Sequence, residues 1–155
     1  MQPILFACLM IVAAGTAAAV PIGTPTLTVD LAGHGPWTFD EAVNDPVVLE
    51  LAVDSIVVFT WSGDAESYGG TIAGYRHGWD ILDPDDPNDP GWTTPGFEPG
   101  LTSTGAMSFA AGTHVLHIAV EDDAGSRTLA SFVLTITEGV ANQRVDWGGL
   151  KAEYR

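Results

Sequence analysis

From residue 113 to residue 137 apolar and polar side chains alternate with a period of two. Leu116, Ile118 and Val120 fall on one side of an extended chain, and Ala130, Phe132, Leu134 and Ile136 fall on one side of the next. Between the runs stands Asp122-Asp123-Ala124-Gly125, with glycine where a tight turn needs a positive φ. The pattern predicts a hairpin, with strands at 113–121 and 127–137. Short runs rich in Val, Ile, Thr, Phe and Trp recur upstream, at 26–31, 47–53, 55–61, 71–79 and 106–110, bounded by Gly, Pro and Asp clusters. Helical spacing is almost absent between residues 20 and 138, so the chain reads as all-β, a sandwich or a barrel.

Two of these runs say more about the core. In 55–61, SIVVFTW, Val57, Phe59 and Trp61 share a side, and Ser62-Gly63-Asp64 reads as the turn that follows. In 71–79, Tyr75, His77 and Trp79 share a side, which places His77 inward as a hydrogen-bonded core histidine.

The segments FTWSGDAESYGGTIAGYRHGWD (59–80) and GTHVLHIAVEDDAGSRTLASFVLTI (112–136) resemble the fibronectin type III and immunoglobulin-like modules of bacterial secreted proteins. The matching residues are Trp61-Ser62-Gly63, Ile72 with Gly74-Tyr75, and Gly112-Thr113-His114 followed by Leu116, Ile118, Ala119, Val120, Asp122 and Gly125. The resemblance covers residues 46–138 and implies an immunoglobulin-like (fibronectin type III-like) β-sandwich; it implies no particular activity. Residues 20–45 precede the usual first strand and read as an N-terminal extension or an extra edge strand. A long acidic, proline-rich loop also stands where such modules have a short connection.

The ends have a different character. Residues 1–19, MQPILFACLMIVAAGTAAA, carry no charge and run apolar into small residues, the pattern of a secretory signal cleaved after Ala19. Cleavage there removes Cys8, the single cysteine, so neither disulfides nor thiol chemistry remains for the secreted chain. In the tail, 139–155, the residues Trp147, Leu150 and Tyr154 fall at helical spacing, which predicts a short C-terminal helix or a docking segment with aromatic anchors. The remaining length suits one domain, 46–138. A formal charge of -15 disfavours nucleic acid and anionic membranes and favours cations. The partners to expect are therefore an extracellular protein or a polysaccharide.

The candidate chemistry concentrates in WDILDPDDPNDPGW, residues 79–92. Asp80, Asp83, Asp85, Asp86 and Asp89 are hard oxygen donors of the kind calcium takes, and Pro84, Pro87 and Pro90 stiffen the chain between them. The spacing does not follow an EF-hand loop, because Asn88 falls where its glycine belongs and Thr94 where its glutamate belongs. Trp92 and Phe97, with Trp79 and Trp37, could present an aromatic platform to sugars. Catalysis finds little support: there is no G-x-S-x-G elbow and no H-E-x-x-H. His114 and His117, three apart on a strand, point to opposite faces. The reading is a non-catalytic secreted or cell-surface structural or adhesion module with calcium at the acidic loop. The alternative is a carbohydrate-binding module using Trp92, Phe97 and the neighbouring aspartates.

Overall fold

The structure, a computed structural model, describes residues 23–138. The expected signal at 1–19 and the expected tail with Trp147, Leu150 and Tyr154 lie outside the described residues. Seven strands follow in order: β1 Thr26–Leu31, β2 Trp37–Phe39, β3 Val47–Ala52, β4 Phe59–Asp64, β5 Ile72–Trp79, β6 Gly112–Asp122 and β7 Arg127–Thr137. They form a three-stranded sheet, β2-β1-β4, and a four-stranded sheet, β3-β7-β6-β5. All pairings are antiparallel except β3 with β7. The architecture is an all-β sandwich of two facing sheets.

The period-two pattern is the reason the two sheets meet. Leu27, Val29, Phe59 and Trp61 point inward from the smaller sheet, and Leu116, Ile118, Val120, Phe132, Leu134 and Ile136 from the larger. Phe132 is the hub, with the rings of Trp37, Phe39 and Phe59 at 5.3, 5.8 and 5.0 Å. Each such buried side chain contributes about 1.5–3 kcal/mol of transfer free energy.

The β6–β7 hairpin forms as predicted. Gly125 turns with φ +83, and Asp122 accepts the N–H groups of Ala124 and Ser126 at 2.9 and 2.7 Å. Three expectations need correction. Residues 26–39 are no extension, because β1 is the central strand of the smaller sheet, paired on one side with β2 and on the other with β4. The strand expected at 55–61 lies at 59–64, since the partners that β1 offers, Thr26 to Leu31, pair with Asp64 to Phe59 and draw Ser62-Gly63-Asp64 out of a turn. The strand expected at 106–110 reduces to a bridge between Met107 and Val57.

Two strand edges are covered by irregular chain. Residues 102–107 run along β4, where Trp61 N–H donates to the Thr102 carbonyl at 3.0 Å and Thr104 N–H to that of Phe59 at 3.1 Å. Residues 91–98 run along β5, where Tyr75 and Glu98 exchange bonds of 3.1 and 2.8 Å and Thr93 N–H donates to the His77 carbonyl at 2.9 Å. The second of these carries the candidate site.

Candidate functional site: the acidic proline loop

The loop begins where β5 ends. Asp80 turns the chain with φ +52 and stays tied to β6: its N–H donates to the Val115 carbonyl at 2.7 Å, and its Oδ1 accepts Val115 N–H at 2.8 Å. Aspartate tolerates this left-handed backbone better than most residues.

From there the aspartates organise their own backbone. Asp83 Oδ1 accepts Asp85 N–H at 3.0 Å, and Asp86 Oδ1 accepts Asn88 N–H at 2.9 Å. Each is an Asx turn, the local bond that favours aspartate in loops. Asp89 does the most: Oδ2 accepts Leu82 and Asp83 N–H at 3.1 and 3.2 Å, and Oδ1 accepts Gly91 N–H at 2.8 Å. The Gly91 N–H, followed by those of Asp83 and Leu82, holds the Asp89 carboxyl below the usual range, against the opposing pull of desolvation. Bonds from Asp86 N–H to the Asp83 carbonyl, Asp89 N–H to the Asp86 carbonyl and Trp92 N–H to the Asp89 carbonyl complete three successive turns.

These bonds bear on the calcium expectation. Calcium needs six to eight oxygens around one point. Asp80 faces β6, Asp89 faces the loop's own amides, and Asp83 and Asp86 close separate turns. Among the described residues no three His, Cys, Asp or Glu side chains stand close enough to share a metal ion. Of the donor set expected at Asp80, Asp83, Asp85, Asp86 and Asp89, four carboxylates are thus engaged by backbone N–H groups and that of Asp85 is not.

The four aromatics named for a platform, Trp37, Trp79, Trp92 and Phe97, do not line up on an open face. Trp92, expected at the surface, is only 9% exposed and packs with Ile81 and Ala119 against the outer face of the larger sheet. Its indole N–H donates to the Asp86 carbonyl at 3.1 Å, and the Arg76 guanidinium lies 4.0 Å above its ring. Trp79 packs against Phe59 and Phe109, and Trp37 against Phe132. Phe97, half-buried, faces Arg76 and Arg127 at 5.8 and 4.9 Å. The two residues named for ligand binding therefore sit side by side, but around arginines and beneath the loop.

Arg76 is the residue that sequence reasoning missed. It is 3% exposed, and its Nη2 donates to the Pro87 carbonyl at 2.9 Å. Burial, with the nearby Arg127, lowers its pKa, while Asp86 and Glu121 oppose that shift. One signal was present in the sequence: Gly74 and Gly78 stand two residues either side of Arg76, on its face of β5. Loop backbone lies directly over both. A Cβ at Gly74 would fall 2.8 Å from Glu98 N, and one at Gly78 would meet the Gly91 carbonyl oxygen. The glycines let the loop descend, and Arg76 is enclosed between its two points of contact.

The histidines take structural places. His77 is buried, its ring 5.2 Å from that of Trp61 and its Nδ1 3.4 Å from Thr93 Oγ1. His114 lies against Phe109 and 3.4 Å from Asp80 Oδ2, whereas His117 meets Ser131 Oγ at 3.0 Å on the other face.

No family model matches the chain, and no curated protein is significantly similar to it. Among solved structures it is similar to the fibronectin(III)-like modules of Clostridium thermocellum CbhA, at 14% identity and a TM-score of 0.39. That match covers 76% of this chain and 48% of the other, so the chain spans about half the length of that structure. The likeness is a loose one, and the architecture rests on the two sheets themselves.

Proposed function

We propose that this chain is a non-catalytic β-sandwich module, a structural and protein-interaction unit of a secreted or cell-surface protein. The observation that carries the reading is the use made of the acidic loop. Asp80, Asp83, Asp86 and Asp89 hold backbone N–H groups, while Trp92 and Arg76 pin the loop to the sheet. Held in this way, the loop forms a stiff cover over one edge of the larger sheet.

The opposite edge of the larger sheet supports the interaction part of the reading. In β3, Val48 is 65% exposed, and it lies in register with Val133 of β7, which lies in register with Val115 of β6. The secreted setting rests on the signal-like stretch at 1–19. Among the described residues no helix is long and apolar enough to cross a membrane.

Amide hydrogen exchange tests whether the loop is a built element. The reading expects the N–H groups of Leu82, Asp83 and Gly91 to exchange slowly, as hydrogen-bonded amides do. Exchange as fast as in an open chain would remove the support. Saturable quenching of tryptophan fluorescence by a soluble polysaccharide would instead favour the carbohydrate-binding alternative.

A further inference from the structure

Eighteen of the twenty acidic side chains lie between Gly23 and Glu138, but only two of the five basic ones, Arg76 and Arg127. The two arginines border the same recess. Its walls include Trp92, Phe97, Ala119 and Leu129, its rim includes Asp85, and its free volume is about 70 Å³. A water molecule needs about 10–15 Å³ of such space, so the recess has room for a carboxylate group.

Placing like charges together is unfavourable unless something compensates them. Arg127 has a partner: its Nε lies 2.6 Å from Glu121 Oε2, and its side chain remains 56% exposed. Arg76 has none. Among the described residues no carboxylate lies within ion-pairing distance of it, its Nη2 is satisfied only by the Pro87 carbonyl, and its Nε is buried without a hydrogen-bond partner. Buried charges in proteins are ordinarily paired, and the parallel N–H donors of a planar guanidinium match the two oxygens of a carboxylate.

We propose that the recess between Arg76 and Arg127 binds a carboxylate group, free or at the tip of a larger ligand, with Phe97 and Trp92 as its apolar walls. Arg76 supplies the buried charge and Arg127 closes over the mouth across the Phe97 ring. Asp85 on the rim opposes the anion, and Glu121 moderates Arg127.

The experiment is a titration of the protein with sodium acetate, against sodium chloride at equal ionic strength. The indole N–H resonance of Trp92, directly beneath Arg76, is followed by NMR. A saturable shift with acetate alone is expected. Arg127→Gln, an exposed change that leaves the fold intact, should weaken it about tenfold, the scale of one charge-assisted bond. Asp85→Asn, which removes the opposing charge, should tighten it. Glucuronate and N-acetylglycine separate the sources: tighter binding of the first points to a sugar acid, of the second to a peptide terminus. A response no different from that of chloride would overturn the proposal and leave Arg76 as a pin for the loop. So would a saturable response that both substitutions leave unchanged.

Discussion

Asp85 and Asp89 stand four positions apart in one loop, and their roles differ in kind. Asp89 accepts three backbone N–H groups, whereas the Asp85 carboxylate has no such bond. Asp89→Ala should therefore lower the unfolding midpoint clearly more than Asp85→Ala, as differential scanning calorimetry would show. Equal effects would contradict the account. The sequence showed that these aspartates were special but could not say whether they face an ion or their own amides. Both readings need several aspartates near prolines, and only the path of the backbone separates them. Trp92 was misplaced for a related reason: its neighbours Gly91 and Thr93 read as surface, while the residue that buries it, Arg76, is sixteen positions away on β5.

Protonation also acts at single residues. Burial lowers the pKa of both His77 and His117. The unfolded chain, with histidine near pKa 6.5, takes up those protons first, so each contributes stability that is present above about pH 6.5 and declines as pH falls below it. Asp89 and Asp123 have lowered values, chiefly through backbone N–H donors, and their contribution is lost only as pH falls below about 4. Denaturant unfolding followed across pH should show two descents on acidification. In His77→Gln the descent near pH 6 should become shallower, and an unchanged slope would mean that His77 is not buried neutral.

At the scale of elements, β5 is where strand and loop depend on each other. Gly78 sits beneath the Gly91 carbonyl, so a side chain there must displace backbone rather than a flexible tip. Gly78→Ala should cost about 2–3 kcal/mol, in the range of core overpacking, and should speed hydrogen exchange at residues 81–92 while leaving the β6–β7 hairpin unaffected. A loss of protection in the hairpin instead would show that the loop is no separate unit. The elements with clean alternation, β1, β6 and β7, were legible to within a residue or two. The position of β4 was not, because Ser62, Gly63 and Asp64 have turn propensity that only pairing with β1 overrides. The chain along β5 and β4, residues 91–98 and 102–107, has no periodicity at all, and its bridges depend on distant partners.

The molecule as a whole is an acidic two-sheet sandwich in which one long loop covers an edge and encloses an arginine. The fold class was legible because a period of two needs no knowledge of partners. The site was legible only as a location, since the charge of the loop is visible in sequence and the cation beneath it is not. The loop is fastened by its own amides and by Arg76. Thermal unfolding in millimolar calcium and in chelator, at fixed ionic strength, measures whether an ion adds to these bonds. The same midpoint is expected in both. An ion bound only to the folded state at one hundred times its dissociation constant adds about 2.7 kcal/mol, so a calcium-specific rise of several degrees would contradict it.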